Sequence, residues 1–307
     1  MHILSDREVD SNSKRIIITG ASGFTGLHAC THFSNIGYSV YGIVRKSSEL
    51  SLRNVQLVPC DLTNSKYIKR VVETIKPDFV LHLAGQNAVQ VSWAEPLKDF
   101  EANVVCTTNL IDAIRTGSDN CRTVVVGSIL QSNSSDPSSF QHPYGLSKTV
   151  QTLLSEAYAS LFELDVLIAK PSNLIGPGHS TGVCSILAKK VALMEKGQEE
   201  KRLFVNNLLA ERDFLDVRDV VRAYEFLFSK GETRSVYEIT SGKLRSLSEI
   251  INLLKGMSTV NFDIDYEIEK QELISTINPI ATKALGWAPL IPFEQSMLDI
   301  LNFQRRN

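Results

Sequence analysis

The chain predicts a doubly wound α/β fold: a parallel sheet with helices on both faces, followed by a smaller C-terminal α/β part. Three observations carry this. In "KRIIITGASGFTG" a strand-like run enters a glycine-rich turn and then a helix. Short β-branched segments follow at "YSVYGIV" (38–44), "VQLVPCDL" (55–62), "PDFVLHLAG" (77–85) and "CRTVVVGSI" (121–129), and helix-length stretches such as 64–76 and 97–117 separate them. Continuous apolar runs alternating with helices belong to strands buried on both faces of a parallel sheet.

Taken in order, residues 1–13 are polar and acidic where a signal peptide would be apolar, and are expected to form a flexible extension. Ile16–Thr19 begin the sheet. Gly20 permits the tight turn, Gly23 lets backbone N–H groups approach a pyrophosphate, and Gly26 allows close packing of the next helix. The second strand ends at "IVRKSSEL". A carboxylate there would bind a ribose 2′-hydroxyl, whereas Arg45 attracts a 2′-phosphate, which favours NADP(H) over NAD(H). An exposed basic pair reads equally as plain surface, so NAD(H) stays open. Asp61 is placed to hydrogen-bond an adenine amino group, or to take part in a helix cap around Asp61 or Thr63. Serine-rich 132–139 is loop by composition. "HPYGLSK" sets Tyr144 four residues before Lys148, on one helix face, where an ammonium favours a phenolate. With eight tyrosines in the chain, that spacing alone settles nothing.

The bulk numbers narrow the function classes. A formal net charge of −2 with 21% charged residues offers no basic excess for tracking nucleic acid. No apolar run approaches the roughly 18 residues that cross a bilayer. Five scattered cysteines without a CxxC read as reduced thiols of a cytoplasmic protein, and no metal site is expected. His28 and His32 share a helix face but lack a third ligand, His82 alternates within an apolar strand as a packed residue, and Trp93 and Trp287 read as packing anchors.

Together "TGASGFTG" (19–26), "CDL" (60–62), "LHLAG" (81–85), Asn103 in "EANVVCTTNL", Ser128 in "VVVGSI" and "YGLSK" (144–148) resemble the extended short-chain dehydrogenase/reductase family, also described as NAD-dependent epimerases and dehydratases. They come in the family's order and at its intervals over most of the chain. The resemblance implies a Rossmann-type NAD(P)-binding domain over 14–170 plus about 206–240. It implies a nucleotide-sugar-binding domain over about 171–205 and 241–307. Cofactor contacts are implied for Gly20, Ser22, Gly23, Phe24, Thr25, Gly26, Asp61, Leu62, Leu83, Ala84, Gly85, Asn103, Tyr144 and Lys148, and catalysis for Ser128, Tyr144 and Lys148. Lys148, beside an oxidised nicotinamide, would lower the Tyr144 pKa, and Ser128 would hold the substrate oxygen. In carbonyl reduction, hydride goes to carbon and Tyr144 gives its proton to the developing alkoxide. Asn103 either supports this site or is an ordinary buried hydrogen-bonding side chain.

The segment "LDVLIAKPSNLIGPGHSTG" (164–182) is similar to one in nucleotide-sugar enzymes, which implies that Pro171 borders the nicotinamide and that Asn173 lies near a sugar diphosphate. His179 in the same loop either touches sugar or phosphate or faces solvent. Arg212 in "VNNLLAERDFLDVRDVVRAYEFL" (205–227) is a sensible clamp on a diphosphate, or else pairs with Asp213 or Asp216; Asp219 caps or braces the helix that follows. Within the family, "NLIGPGHS" and "NNLLAERDFLDVRDVVRAY" resemble GDP-6-deoxy-4-keto-mannose reductases and related 4-keto-6-deoxyhexose reductases. That implies NADP(H)-dependent reduction of a nucleotide-linked 4-keto sugar by a homodimer paired through helices at about 98–116 and 144–162. Dehydratases of the family carry Asp-Glu directly after the Ser/Thr; Ile129 and Leu130 stand there instead and offer no acid or base for eliminating water. An epimerase with bound NAD and a non-catalytic NAD(P)-binding regulatory subunit are the alternatives, the latter opposed by Ser128, Tyr144 and Lys148 occurring together. Two stretches depart from the family: "ILQSNSSDPSSFQ" lacks the usual aromatic-glycine pair, and "STINPIATKALGW" lacks the usual Gly-Asp. Both bear on substrate selection more than on hydride chemistry.

Overall fold

A computed structural model describes residues 13–46, 51–118, 120–131, 134–270 and 279–307. The expected N-terminal extension, apart from Ser13, lies outside the described residues, as does Glu49. The chain divides into two compact units, Met1–Lys170 with Tyr224–Tyr237, and Pro171–Ala223 with Glu238–Asn307.

The first unit runs β1 (Arg15–Thr19), α1 (Phe24–Asn35), β2 (Ser39–Val44), β3 (Val55–Pro59), α2 (Ser65–Ile75), β4 (Phe79–His82), α3 (Val89–Ala94), α4 (Pro96–Phe100), a π-helical turn (Glu101–Val105), α5 (Cys106–Gly117), β5 (Arg122–Val126), α6 (Pro143–Leu161) and β6 (Val166–Pro171). The strands form one sheet in the order β3-β2-β1-β4-β5-β6, with β10 (Val236–Ile239) beyond β6. The pairs β1–β2, β2–β3, β1–β4, β4–β5 and β5–β6 are parallel. Ile16, Ile17 and Ile18 are wholly buried, the burial on both faces that their uninterrupted apolar run requires. Apolar side chains of β1–β4 pack with α2 and α5 in one core cluster, and Ile111, Val125, Ala159, Val166 and Ile168 form another. Strand order reverses between β1 and β4, the switch point at which doubly wound sheets open a crevice beyond their C-terminal strand ends.

Local chemistry sets the elements that edge this crevice. Asn64 caps α2 by accepting the Tyr67 N–H at 3.1 Å, so the cap falls neither on Asp61 nor on Thr63. Asp61 instead accepts the Thr63 N–H and hydroxyl at 3.0 and 2.9 Å, and holds the turn that leads into the cap. Helix α6 starts with Pro143 in its first turn and His142 as cap, whose Nδ1 accepts the Gly145 N–H at 2.8 Å. All five cysteines are free and buried; burial pushes Cys30, Cys60, Cys121 and Cys184 up to about 12, so they are inert thiols at neutral pH. Among the described residues no helix is long and apolar enough to cross a membrane.

The second unit holds β7 (Asn173–Ile175), α7 (Val183–Glu195), β8 (Arg202–Asn207), β9 (Glu211–Asp216), the start of α8 (Val217–Lys230), β11 (Leu244–Ser246), α9 (Leu247–Met257), β12 (Asp263–Ile268), α10 (Ile280–Ala284) and α11 (Phe293–Arg306). Its strands pair as β11-β9-β7 and β12-β8, and Leu187, Val191, Leu203, Phe214, Ile251, Leu254 and Ile300 share its core. The resemblance implies that about 206–240 return to the first domain, whereas the compact units return Tyr224–Tyr237. The reason is strand pairing: β9 bonds to β7 and β11, and β8 to β12, which keeps 202–216 in the second unit. Trp287 is the buried anchor expected of it, its indole N–H donating to the Asp219 carbonyl oxygen at 3.1 Å, and the Asp219 carboxylate accepts the Leu290 and Ile291 N–H groups. Trp93 is not an anchor: it is 64% exposed.

At the end of α7, Glu195 takes two bonds from the Arg305 guanidinium, at 2.8 and 2.7 Å, and ties that helix to α11. The bonds from Arg305 bring the Glu195 carboxyl down to about 2 from 4.5. A depressed folded-state pKa adds stability that is complete above the unfolded value and lost as pH falls through the folded one. The expected result is a loss of about 2 kcal/mol between pH 4.5 and 2 that Arg305→Ala removes from the profile. Urea unfolding followed by circular dichroism across that range checks it.

Candidate active site

The loop after β1 is shaped by its glycines. Gly20 has φ +68°, and a Cβ there would lie 2.9 Å from the Ala84 nitrogen; a Cβ at Gly26 would lie 2.1 Å from the Gly20 carbonyl oxygen. No side chain larger than hydrogen fits either position. The close approach at Gly26 is thus to the loop backbone at Gly20 and Ala21. Gly23 is the N-cap of α1 and has no side-chain cap, and no acidic residue lies in the helix's first turn. Exposed Ser22 and half-buried Phe24 and Thr25 flank that open helix end, an arrangement suited to a phosphate.

Across the crevice, Thr19 and Thr107 hold His82 between them, Thr19 Oγ1 at 2.7 Å from Nδ1 and Thr107 Oγ1 at 2.8 Å from Nε2. Burial lowers the His82 pKa to about 3, so it is the neutral packed residue the strand pattern predicts. Thr19 Oγ1 also accepts the Ala84 N–H at 3.0 Å. Leu83 and Ala84 are half-buried, Gly85 is exposed, and Leu62 is buried beneath Asp61. Asn103, in the π-helical turn, accepts the Gln86 N–H through Oδ1 at 2.9 Å and donates from Nδ2 to Ser147 Oγ at 2.9 Å. Through these bonds Asn103 links the loop after β4 to α6. A Cβ at Gly85 would meet Asn103 Oδ1 at 2.5 Å, so Asn103 as placed requires glycine at 85. Arg45 is exposed at the end of β2.

Ser128, Tyr144 and Lys148 are all buried and gather where β5 ends and α6 begins. Lys148 Nζ donates to the Val126 carbonyl oxygen at 2.6 Å, and Ser128 Oγ accepts the Leu130 N–H at 3.1 Å. That bond leaves the Ser128 proton for another acceptor. Burial raises the Tyr144 pKa, the hydrogen bond with Ser128 lowers it, and Asp99 raises it further, for a net rise. Burial pulls Lys148 down to about 7, against an upward pull from Asp99. The expected lowering of the Tyr144 pKa by Lys148 belongs to the state with an oxidised nicotinamide bound; in the chain by itself desolvation, which position in the sequence does not reveal, sets the direction. The result is a phenol held protonated beside a lysine whose charge is precarious.

Three residues at this site escaped the sequence reading. Asp99 is 1% exposed and its charge acts on both Tyr144 and Lys148. Ser147 receives Asn103 Nδ2 and donates to the Tyr144 carbonyl oxygen at 3.1 Å. Gln131 Nε2 donates to the Lys148 carbonyl oxygen at 2.8 Å and to Thr152 Oγ1 at 2.6 Å, which fixes the loop after Ser128 against α6. The one available signal was spacing: Asp99 lies four residues before Asn103, on the same helix face.

The remaining expected residues belong to the second unit, with Pro171 buried at its start. Asn173 Nδ2 donates to the Asp213 carbonyl oxygen at 2.9 Å. His179 is exposed, its ring edge-on to Phe303 with centroids 5.2 Å apart. Arg212 is half-buried and donates to the Glu211 carbonyl oxygen at 2.6 Å. Asp216 is gripped by Arg218 at 2.9 and 2.8 Å, and Asp213 accepts the Ser241 and Lys243 N–H groups.

Residues 16–240 match the model of the NAD dependent epimerase/dehydratase family. The chain belongs to this family. It is 28% identical to GDP-6-deoxy-D-mannose reductase of Pseudomonas aeruginosa over 306 residues, covering 94% of this chain and 97% of that one. It is 25% identical to dTDP-D-glucose 4,6-dehydratase of Mus musculus, covering 97% and 90%. The solved structure of RMD from Pseudomonas aeruginosa complexed with NADPH superposes with a TM-score of 0.79 at 27% identity, over 96% of this chain and 99% of that one. The glycine loop, with the sheet order and switch point above it, is the family's dinucleotide-binding architecture, and the residues present fit such a cofactor: an uncapped helix end and a cradle that a single Cβ would fill.

Proposed function

We propose that this family member reduces a nucleotide-linked 4-keto-6-deoxyhexose to the 6-deoxyhexose with NADP(H). One observation carries the reading: a protonated, buried Tyr144 bonded to Ser128, with the uncharged pair Ile129 and Leu130 following the serine. A dehydratase needs ionisable groups there to take and give protons as water leaves, and a reductase does not. The 28% identity to a GDP-sugar reductase supports the same choice.

A bound nicotinamide dinucleotide would supply the hydride. Ser128 Oγ, its lone pair already engaged by the Leu130 N–H, offers its proton to the carbonyl oxygen of the substrate. Tyr144 gives its proton to the same oxygen as the alkoxide forms, and burial keeps that proton in place until then. Lys148, anchored on the Val126 carbonyl oxygen, places an ammonium near the tyrosine and stabilises the phenolate that the transfer leaves. The first unit is the NAD(P)-binding domain, held through Gly20, Gly23 and Gly26, and the second, with Asn173, His179 and Arg212, binds the nucleotide sugar.

Loss of NADPH absorbance with GDP-, dTDP-, UDP- and CDP-linked 4-keto-6-deoxy sugars, made in situ by matching dehydratases, tests the activity. Oxidation with one of them supports the reductase and names the base; none with any moves the reading to an epimerase or a non-catalytic subunit. Arg45 supports NADP(H), as does the NADPH in the Pseudomonas aeruginosa structure. Arg45→Ala is expected to weaken NADPH about tenfold and leave NADH within about twofold, read by fluorescence titration. Equal loss for both would remove the argument for NADP(H).

The chain also exposes apolar side chains where a homodimer would form: Leu97 is 85% exposed, Phe100 and Val105 follow it along the first helical stretch, and Leu146 and Leu153 are exposed on α6. Such a set is costly to leave in water. Sedimentation is expected to give a dimer that Leu153→Glu shifts to monomer; a monomeric native chain would contradict this.

A further inference from the structure

Asp99 has no role in the sequence reading, and its surroundings make it an expensive residue to keep. It sits on α4, 1% exposed. Oδ1 accepts a long bond of 3.3 Å from Asn103 Nδ2, and Oδ2 is buried without any hydrogen-bond partner among the described residues. Burial raises the Asp99 carboxyl, with the Ser147 hydroxyl, Lys148 and His142 drawing it back. Asn103 also donates to Ser147 Oγ at 2.9 Å, and Ser147, the residue before Lys148, donates to the Tyr144 carbonyl oxygen at 3.1 Å, which ties Asp99 to α6. A buried carboxylate with half its acceptor capacity unmet is strongly destabilised, and an asparagine would satisfy Asn103 as well at far smaller cost. Something else must retain the charge.

The groups around it show what that is. Lys148 is 6% exposed, and among the described residues its one hydrogen-bond partner is the uncharged Val126 carbonyl oxygen. Helix α4, which carries Asp99, packs against α6, which carries Tyr144 and Lys148, and the bonds from Asn103 to Asp99 and Ser147 join the two. His82 of β4 is neutral, and His142, the cap of α6, draws the Asp99 carboxyl down. Among the described residues Asp99 is the carboxylate whose charge bears on Lys148, and it bears on the Tyr144 phenol too.

We propose that Asp99 is a positioning residue that acts through Tyr144 and Lys148, keeping the phenol protonated and the lysine charged so that the site gives a proton rather than takes one. This rests on the reading of Tyr144 and Lys148 as the working pair. The negative charge favours both protonated forms at once, so it biases the pair towards reduction, where a proton must be delivered. Burial by itself would do this for the tyrosine and undo it for the lysine. Asp99 opposes that loss in part, and Lys148 stands at about 7 with Asp99 in place.

The test is Asp99→Asn in the full chain, with two readouts. Lysine-specific 13C NMR, with Lys148 assigned through Lys148→Arg, reads the titration of Lys148 without any need for turnover. The kcat–pH profile for reduction reads its consequence. The expected result is a Lys148 titration at least about half a unit lower in the variant, with the alkaline limb of kcat moved to lower pH by a similar amount. A folded variant in which Lys148 titrates where it does in the native chain would overturn the proposal, even if the native protein proves to be a reductase. A lowered Lys148 titration without reduction of any sugar would uphold the role of Asp99 and sink the reductase reading instead. Should Asp99→Asn fail to fold, Asp99→Ser removes the charge with a smaller side chain and is read the same way.

Discussion

Tyr144→Phe is expected to lower reductive turnover by roughly 10²–10⁴-fold, the usual worth of a positioned general acid. The ring is buried and stays in place, so the change removes only the hydroxyl that bonds to Ser128 and would reach the substrate oxygen. Cofactor affinity is expected to stay within about threefold, because the glycine loop, Asn103 and Lys148 are untouched. Thermal unfolding should shift little, since a buried phenol without a strong bond network contributes about 1 kcal/mol through its hydroxyl. The split between turnover and binding is the informative part. Single-turnover absorbance with saturating NADPH, beside a binding titration, measures both. An unchanged rate would remove Tyr144 from the chemistry, and equal loss of binding and rate would make it a structural residue.

Asp216→Ala is expected to destabilise the second unit by about 3 kcal/mol, near the lower end of the range for breaking a buried ion pair. The Asp216 side chain is fully buried, takes two bonds from the Arg218 guanidinium, a third from the Arg218 N–H at 2.8 Å and a fourth from Ser296 Oγ at 2.6 Å. Arg218 keeps a second carboxylate in Asp299, at 2.7 Å, which moderates the loss. Burial by itself would raise the Asp216 pKa, but the bonds from Arg218 and Ser296 overcome it and leave the group below its ordinary value. Its contribution is therefore complete above the unfolded carboxyl value and disappears as acid protonates it through the lower folded value. Urea midpoints at pH 7 and pH 3 should differ less in Asp216→Ala than in the native chain. A loss under about 1 kcal/mol at pH 7 would show that α8 and α11 hold together without this network.

Much of the first unit was legible because its signals are local. The triple isoleucine of β1, the glycines at 20, 23 and 26, and the apolar runs of β2–β5 each state their structure within a few residues, since strand period, left-handed turns and helix ends depend on nearest neighbours. The same holds for the 143–161 helix and for Tyr144 and Lys148 sharing its face. The second unit was much less legible. Strand β8 pairs with β12, some sixty residues away, and β9 pairs with β7 and β11 on opposite sides in sequence. Nothing in "VNNLLAERDFLD" states which partner will come.

The candidate site divides the same way. By itself the sequence determined the identity and order of the chemical groups: a glycine loop, a serine at a strand end, a tyrosine and a lysine one helical turn apart, and no acid–base pair after the serine. Their protonation was decided only by the tertiary structure. Burial raised Tyr144, pulled Lys148 down to about 7, and set Asp99, from a helix more than forty residues earlier, against both. A pKa depends on how much water is removed around a group and which charges stand near it, and both are properties of packing between segments that are distant along the chain.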